Sequence, residues 1–522
     1  MALGASGVLQ RFENPRELLG GRLKGVYRLL ADHGDRVFPD DYFADCYKRS
    51  RLGRPTIPAR VLATVMVLQA LEGLSDQEAV DRLERDLAWQ AAAGVDAGYV
   101  AFHPTVLVGQ RNRLRDSGRD KRFLEDTRVA AREAGVMRDR VRVLDSTPIY
   151  DAVSTQDTVT QLRSAIRKLL RVLAGSPVGV RVRGVLCRDD DYVGPGKPSC
   201  DWDDREAREV LVDGLVRDAL GALGVLDGLV LDQNVREAAE LLAVVAGQDV
   251  EQSDDGVFRI ARKVARDRVI STVDPEARHG HKSRSRRFDG YKAHLSVDPD
   301  SELIDEVVVT PANTHDGDSG VVDDLLAGHA DDEVKPTVMG DCAYSNPDLV
   351  DELEQDGFEM IAKVPPAANR EGRYSKDDFT VDLDAGTVAC PAGQTVTIRF
   401  GRDGGGRADF VGHCTGCPLR ADCTTSASGR SISIHRREAI LQRAKAAQST
   451  PEWKHTYRST RPKVERKIAH FVRAGWGARR ARTRGVKRVT TDAATRAAAV
   501  NWARLATLGL TVTNGQWATT TT

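Results

Sequence analysis

The chain has 522 residues, of which 41% are hydrophobic and 29% are charged. This length exceeds the roughly 250–300 residues of a single hydrophobic core and predicts several domains. No apolar run approaches the ~20 residues of a membrane helix, and the first residues lack the basic and apolar segments of a signal peptide. These features argue against a membrane or secreted protein. We expect a cytoplasmic protein with reduced thiols and no membrane partner.

The formal net charge of zero conceals a separation of the two signs along the chain. Nineteen acids and one lysine lie between Asp298 and Glu359, whereas twenty Lys or Arg residues and four acids lie between Arg430 and Arg504. An acidic centre followed by a basic C-terminal third suits an enzyme that holds metal at one place and phosphates at another. Solvated helix faces are the alternative interpretation.

Residues 1–135 predict a helical N-terminal domain that binds DNA. An apolar helix from about Pro58 to Leu71 is followed by a glycine-containing turn, and Ser75 and Glu78 have the spacing of a capping box that opens a second helix. Two helices on a short turn resemble a helix-turn-helix, although a plain helical bundle is the alternative. We expect a third helix to supply DNA contacts, from Arg111 and Arg113.

The next segments predict an α/β core in which several strands end on acids. A strand ends on Asp145, a helical insertion follows, and two further strands lie between Tyr291 and Thr310. Asp341 then follows a short buried strand, and a later helix contains Glu465. With a helix and a strand after Asp341, this order is that of a ribonuclease H-like fold with a mixed sheet. The expected ranges are 136–365 and 440–512 for the core and about 152–275 for the insertion.

Four cysteines cluster in residues 366–439, where we expect a small zinc ribbon-like insertion. Two of them are two residues apart, a third is close by, and a fourth lies on a facing segment, which suits a four-coordinate structural zinc site. The proposed ligands are Cys390, Cys414, Cys417 and Cys423. Free thiols and an iron–sulfur cluster are the alternatives, and His413 could replace one ligand.

Three acids from distant segments predict a divalent-metal site for phosphodiester chemistry. Asp145 and Asp341 each follow a strand, and Glu465 lies in a helix that we expect to begin near Pro462, since proline suits the first helical turn. Carboxylate oxygens are the ligands that Mg²⁺ and similar hard cations prefer. Two such ions, roughly 3.5–4 Å apart, can activate water and stabilise a leaving oxygen. A surface ion pair is the alternative for Glu465.

Several motifs together resemble those of the DDE transposases of bacterial insertion sequences, in the branch with a helical N-terminal domain. The similarity spans roughly Arg54 to Leu510. The motifs are Gly73–Val80, Leu144–Thr147, Phe288–His294, Thr310–Asp316, Gly340–Tyr344, and Tyr457 with Arg461 and Glu465.

The resemblance implies an active enzyme that cuts double-stranded DNA at element ends and joins 3′-hydroxyls to target DNA. It implies Mg²⁺ or Mn²⁺ as cofactor and Asp145, Asp341 and Glu465 as the catalytic and metal-binding triad. Tyr457 and Arg461 correspond to the tyrosine and arginine that precede the glutamate in the family. We also expect a homodimer on paired ends.

One departure from the family concerns a lysine that many relatives carry seven residues past the glutamate. This chain has Val472 at that position, and Lys467 or Arg473 is expected to substitute. Further phosphate contacts are expected from Arg479, Arg480 and Arg482. Two alternatives remain at this point, namely a non-catalytic DNA-binding descendant and a ribonuclease H-like nuclease without strand transfer.

Overall fold

The computed structural model describes residues 14–47 and 56–520, except positions 152, 195, 264, 284, 315–316, 369–370 and 474–478. His315 and Asp316, which end the Thr310–Asp316 motif, therefore lie outside the described residues. Among the helices described, none combines the length and the apolar character needed to cross a membrane.

Helices make up the first part of the described chain. They are α1 (Pro15–Leu19), α2 (Gly25–Val37), α3 (Ala59–Glu72), α4 (Asp76–Arg85), α5 (Leu87–Ala93), α6 (Thr105–Asp116) and α7 (Arg122–Glu133). At the start of α4, Ser75 Oγ accepts a hydrogen bond from the Glu78 N–H at 3.2 Å, and the Glu78 carboxylate accepts one from the Ser75 N–H at 2.7 Å. The predicted capping box is confirmed, and it satisfies two backbone donors that a helix start leaves unpaired.

A helical insertion separates the first strand of the main sheet, β1 (Val141–Tyr150), from the other strands. Its elements are α8 (Thr158–Val172), α9 (Pro177–Val185), α10 (Arg205–Leu226), α11 (Gln233–Gln248) and the hairpin β2 (Val250–Gln252) and β3 (Phe258–Ile260). Leu162, Leu215 and Leu242 are fully buried in a hydrophobic cluster formed by these helices. The apolar stripes of the insertion are therefore its own core.

The main sheet is mixed and positions two of the three acids. Its other strands are β4 (Arg278–Ser283), β5 (Arg286–Asp298), β6 (Leu303–Pro311), β7 (Thr337–Gly340) and β8 (Met360–Ala362), with α12 (Val322–Leu326) and α13 (Pro347–Gln355) before and after β7. The strand order is β6–β5–β1–β7–β8, and β4 pairs with the beginning of β5. The pairs on the β5 side are antiparallel, whereas β1, β7 and β8 are mutually parallel.

The C-terminal part of the chain contains two small sheets followed by long helices. The small sheets are formed by β9 (Thr380–Asp382), β10 (Thr387–Ala389) and β11 (Thr395–Thr397), and by β12 (Arg399–Phe400), β13 (Gly406–Asp409) and β14 (Ser431–Ile434). The short helix α14 (Arg420–Cys423) lies between β13 and β14. The long helices are α15 (Glu438–Ser449), α16 (Pro451–Phe471) and α17 (Val486–Thr507), and the hairpin β15 (Leu510–Thr513) and β16 (Gln516–Thr519) follows them.

The expectation that the glutamate helix begins near Pro462 is wrong. α16 begins at Pro451, and Pro462 lies inside it. The true start of α16 also has a proline in the first turn, Pro451. Thr450 caps the helix there by accepting a hydrogen bond from the Trp453 N–H at 3.2 Å. The longer helix carries Tyr457, Arg461 and Glu465 on one element.

The C-terminal helix α17 packs against both the N-terminal helices and the sheet. Asn501 on this helix is fully buried. Its side chain accepts a hydrogen bond from the Ile304 N–H at 2.8 Å, and donates to the Ile304 carbonyl at 2.8 Å and to Thr127 Oγ1 at 3.0 Å. One continuous hydrophobic cluster therefore joins the N-terminal helices, α17 and the sheet.

Candidate active site

The site begins where β1 and β7 separate. These two strands pair only between Val141–Val143 and Thr337–Met339. β7 ends at Gly340, but β1 continues to Tyr150 because its other edge stays paired with β5. The expectation that the first strand stops at its acid is therefore wrong. Asp145 and Asp341 nevertheless each lie just past the last β1–β7 pair, where a gap opens between the strands.

The turn after β7 holds Asp341 in place. Its carboxylate accepts a hydrogen bond from the Ala343 N–H at 2.9 Å and caps a single helical turn. Tyr344 at the end of this turn is fully buried. A Cβ atom at position 340 would lie only 2.7 Å from the Tyr344 Cβ, so the close packing of the tyrosine requires Gly340. Packing therefore accounts for the glycine and the tyrosine on either side of this acid.

The third acid reaches the same place from α16. Val464 and Phe471 anchor this helix in the core, and Glu465 between them is exposed. Glu465, Asp145 and Asp341 line one cleft with a volume of about 890 Å³. The described residues include no group of three or more His, Cys, Asp or Glu side chains that could hold a metal ion as placed. The acids therefore share a cleft, and they do not form a finished coordination shell.

Arg461 orients the first acid. Its guanidinium donates to Asp145 Oδ2 at 2.8 Å and to the Leu144 carbonyl at 3.2 Å. Asp145 Oδ1 also accepts a hydrogen bond from the Ser146 N–H at 2.7 Å. Burial raises the pKa of Asp145, Arg461 opposes that rise, and the nearby Asp341 adds to it. Arg461 is therefore already bonded to a site carboxylate, one helical turn from Glu465.

Tyr457 lies one turn before Arg461 on α16. It is half-buried, and its ring stacks on that of Trp453 with the centroids 4.7 Å apart. Burial raises the pKa of Tyr457, Arg461 opposes that rise, and the carboxylates of Asp341 and Asp145 add to it. The family tyrosine therefore lies within the electrostatic reach of the two aspartates.

The expected substitutes for the family lysine do not lie in this cleft. Lys467 and Arg473 line a separate cavity of about 320 Å³ together with Glu302 and Arg504. Lys467 is buried there, and that burial lowers its pKa to about 8. Val472 is also buried. As placed, Lys467 and Arg473 line this other cavity and not the cleft of the acids, and their role in place of the family lysine stays a prediction.

The other arginines predicted to contact DNA have different surroundings. Arg479 lines the cleft near Thr147. Arg480 is exposed next to Tyr150, and Arg482 donates to the Leu74 carbonyl in the turn between α3 and α4.

Both predicted DNA contacts of the N-terminal helices have partners inside that region. Arg111 pairs with Asp76 at 2.5 Å and donates to Gln69 at 2.7 Å, so it ties α6 to α3 and α4. Arg113 lies over the Tyr47 ring, with its guanidinium carbon 4.8 Å from the centroid. Their DNA contacts stay predictions.

Sequence reasoning missed a lysine–aspartate pair that also lines the cleft. Lys292 Nζ donates to Asp318 at 2.6 Å, and Ser146 Oγ donates to the same carboxylate at 2.7 Å. Ser146 and His294 are paired across β1 and β5, and Pro148 and Lys292 are paired two residues further along β1. A lysine and a histidine alternating with buried apolar residues in a central strand are the signal that could have revealed this pair.

The four clustered cysteines line one small cavity with His413 and Arg430. Cys423 is buried, and Cys390, Cys414 and Cys417 are partly buried. Burial raises the pKa of the Cys423 thiol, whereas Arg430 lowers it. The remaining described cysteines, Cys46, Cys187, Cys200 and Cys342, do not line this cavity.

Comparison with known protein families gives two matches. Residues 23–113 match the family described as "Transposase domain (DUF772)", and residues 389–506 match the family described as "Transposase DDE domain". No curated protein and no solved structure matches the chain. The second match contains Arg461 and Glu465, and Asp145 and Asp341 lie between the two matches. The two matched domains support a DDE transposase of the insertion-sequence type, and the three acids that line one cleft agree with that family.

Proposed function

We propose that the chain cleaves double-stranded DNA at element ends and transfers the resulting 3′-hydroxyl ends to target DNA. The observation that carries this proposal is the meeting of Asp145, Asp341 and Glu465, from three distant segments, in one cleft. We further infer that the core is ribonuclease H-like. Its support is an antiparallel β6–β5–β1 unit extended by the parallel strands β7 and β8, with an acid at the divergence of β1 and β7 on each strand.

The donor set of the cleft fits Mg²⁺ or Mn²⁺, because hard cations prefer carboxylate oxygens. Asp145, Asp341 and Glu465 would hold the metal, which would supply an activated nucleophile and stabilise the leaving oxygen. The chain itself orients two of these ligands, Asp145 and Asp341. Arg461 and the Ser146 N–H fix the Asp145 carboxylate, and the Ala343 N–H fixes that of Asp341.

Five Lys or Arg residues line the cleft together with four acids. The cations are Arg266, Lys282, Lys292, Arg461 and Arg479. A cleft that carries both signs suits a substrate whose phosphates approach metal-binding carboxylates.

Purified protein, Mg²⁺ and DNA from the borders of the coding sequence test the function. We expect strand cleavage at the element ends and, with a target plasmid, covalent joining of 3′ ends, because the carboxylates and the DNA would share the cleft. Gel analysis of labelled strands separates the possible outcomes. Cleavage without joining would indicate a nuclease, and end binding without cleavage would indicate a non-catalytic descendant. The stoichiometry of the end complex would test the proposed homodimer on paired ends.

Replacing Arg479, Arg480 and Arg482 with alanine should weaken DNA binding to a similar extent on all sequences. Each phosphate contact releases condensed counterions, so each lost contact should flatten the plot of log affinity against log salt by about 0.9 on duplex DNA. A salt titration of binding measures this slope. The matched control replaces three arginines of the helical insertion, Arg205, Arg217 and Arg236, and should leave the slope as it is. An unchanged slope in the first variant would mean that these arginines only solvate the surface.

We also propose that Cys390, Cys414, Cys417 and Cys423 bind a structural Zn²⁺ in a zinc ribbon-like insertion. The support is that four cysteines line one cavity: Cys390 follows β10, Cys414 and Cys417 lie in one turn, and Cys423 ends α14. A sulfur donor set suits zinc, and structural zinc sites usually have four ligands. His413 lines the same cavity and is the alternative fourth ligand.

A further inference from the structure

A lysine–aspartate pair lies next to the three acids, although it belongs to neither the predicted triad nor the predicted basic segment. Lys292 comes from β5 and Asp318 from the segment between β6 and α12. Their side chains are 22% and 11% exposed, and Lys292 Nζ lies 2.6 Å from Asp318 Oδ1. Both residues line the cleft that contains Asp145, Asp341 and Glu465.

The protein holds Asp318 firmly. One carboxylate oxygen accepts a hydrogen bond from the Lys292 ammonium, and the other accepts one from the Ser146 hydroxyl at 2.7 Å. Ser146 directly follows Asp145, so this bond connects the pair to the catalytic strand. His294 lies fully buried beside it, with Nδ1 4.0 Å from Asp318 and Nε2 3.0 Å from Thr310 Oγ1. The bonds to Ser146 and Lys292 fix the Asp318 carboxylate, so it is suited to hold the Lys292 ammonium in place.

The ammonium of Lys292 retains binding capacity. A lysine has three N–H donors. Asp318 takes one, and among the described residues no other acceptor bonds to Lys292. Arg461, by contrast, is bonded to Asp145 and to the Leu144 carbonyl. Lys467 and Arg473, the cations expected from the sequence, line a different cavity.

We propose that Lys292 binds a phosphate of the DNA strand that is cleaved, and that Asp318 is the positioning residue that holds the ammonium in the cleft. The inference rests on the proposed function. The N–H groups of Lys292 would donate hydrogen bonds to non-bridging phosphate oxygens. Hydrogen bonds between two charged groups are roughly twice as strong as those between neutral groups. Lys292 thereby supplies beside the acids the cation that this chain lacks at Val472.

The competing explanation is a purely structural ion pair between β5 and the segment after β6. The chain provides a matched control for it. Lys121 and Glu306 form a similar pair at 2.8 Å, with side chains 30% and 12% exposed, and neither residue lines the cleft. A structural role predicts that the two lysines behave alike when each is replaced.

The test compares Lys292→Met with Lys121→Met in the full-length protein. With a short duplex of fixed sequence, Lys292→Met should flatten the slope of log affinity against log salt by about 0.9, as for the loss of one phosphate contact. Its cleavage of element-end DNA should fall by about a hundredfold, the lower end of the cost of losing one positioned donor to a developing oxyanion. Lys121→Met should keep the wild-type slope and rate, and Lys292→Arg should restore the slope.

Asp318→Asn separates positioning from charge. Removing a negative charge should leave duplex binding as tight as in the wild type or tighter, whereas cleavage should fall because the ammonium is no longer held. Thermal unfolding of every variant would show whether it is folded at the assay temperature. A folded Lys292→Met that keeps the wild-type salt slope would overturn the proposal. If the wild type does not cleave DNA, the proposed function fails, but the salt slopes still decide whether Lys292 contacts phosphate.

Discussion

Asp145→Asn, Asp341→Asn and Glu465→Gln should each lower Mg²⁺-dependent cleavage of element-end DNA by more than about a thousandfold. Loss of a single positioned donor to a developing oxyanion already costs about 10²–10³ in rate, and these changes remove proposed ligands of the ion that would organise the reaction. Each replacement keeps the size of the side chain and removes its charge. End binding should be largely retained, because the acids do not attract phosphate. Cleavage rates and binding isotherms, measured on the same labelled DNA, check both parts.

Two acids outside the cleft provide matched controls for the triad variants. Glu452 lies in the first turn of the same helix as Glu465 and is exposed, and Asp300 lies in the turn between β5 and β6. Glu452→Gln and Asp300→Asn should cleave at the wild-type rate. Near-normal cleavage by any one triad variant would mean that its acid is wrongly assigned.

Purified protein should hold about one Zn²⁺ per chain, and alanine at Cys390, Cys414, Cys417 or Cys423 should abolish that binding. Structural zinc contributes about 10–16 kcal/mol to the folding of small zinc domains, so its loss should also unfold the region around β9–β14. Elemental analysis gives the zinc content, and limited proteolysis reports local unfolding. A strong chelator should reproduce the effect in the wild type.

Cys187→Ala is the matched control for zinc, since Cys187 is a free cysteine in the helical insertion. It should retain the metal. His413→Ala decides the alternative ligand set, because zinc should be retained in this variant if four cysteines bind it. Absence of zinc from protein purified without any chelator would refute the zinc proposal.

Local signals in the sequence predict the start of a helix better than they predict which strands pair and where a strand ends. Ser75 and Glu78 form the predicted capping box because a capping box depends only on residues within one turn. The end of β1 could not be located in the same way. Whether a strand continues past Asp145 depends on its partner β5, which lies beyond the whole helical insertion.

The candidate cations show a second limit of reasoning from sequence spacing. Lys467 is only two residues from Glu465, which suggests proximity. Successive helix residues rotate by about 100°, so two positions place side chains on nearly opposite faces. Lys467 accordingly lines the other cavity. Lys292 is far in sequence from Asp145, Asp341 and Glu465 and still lines the cleft, because strand pairing, and not sequence distance, brings it there.

The packing of α17 has a consequence for how this chain is made. Asn501 bonds Ile304 of β6 and Thr127 of α7, and the same helix contacts α2 and α3 near the start of the chain. At the usual synthesis rate of about 5–20 residues per second, roughly 20–90 s separate the appearance of α2 from that of α17. During this interval the apolar faces of the early helices lack their final partner. Contacts of such long sequence separation also slow folding, so this core closes only after α17 has been synthesised.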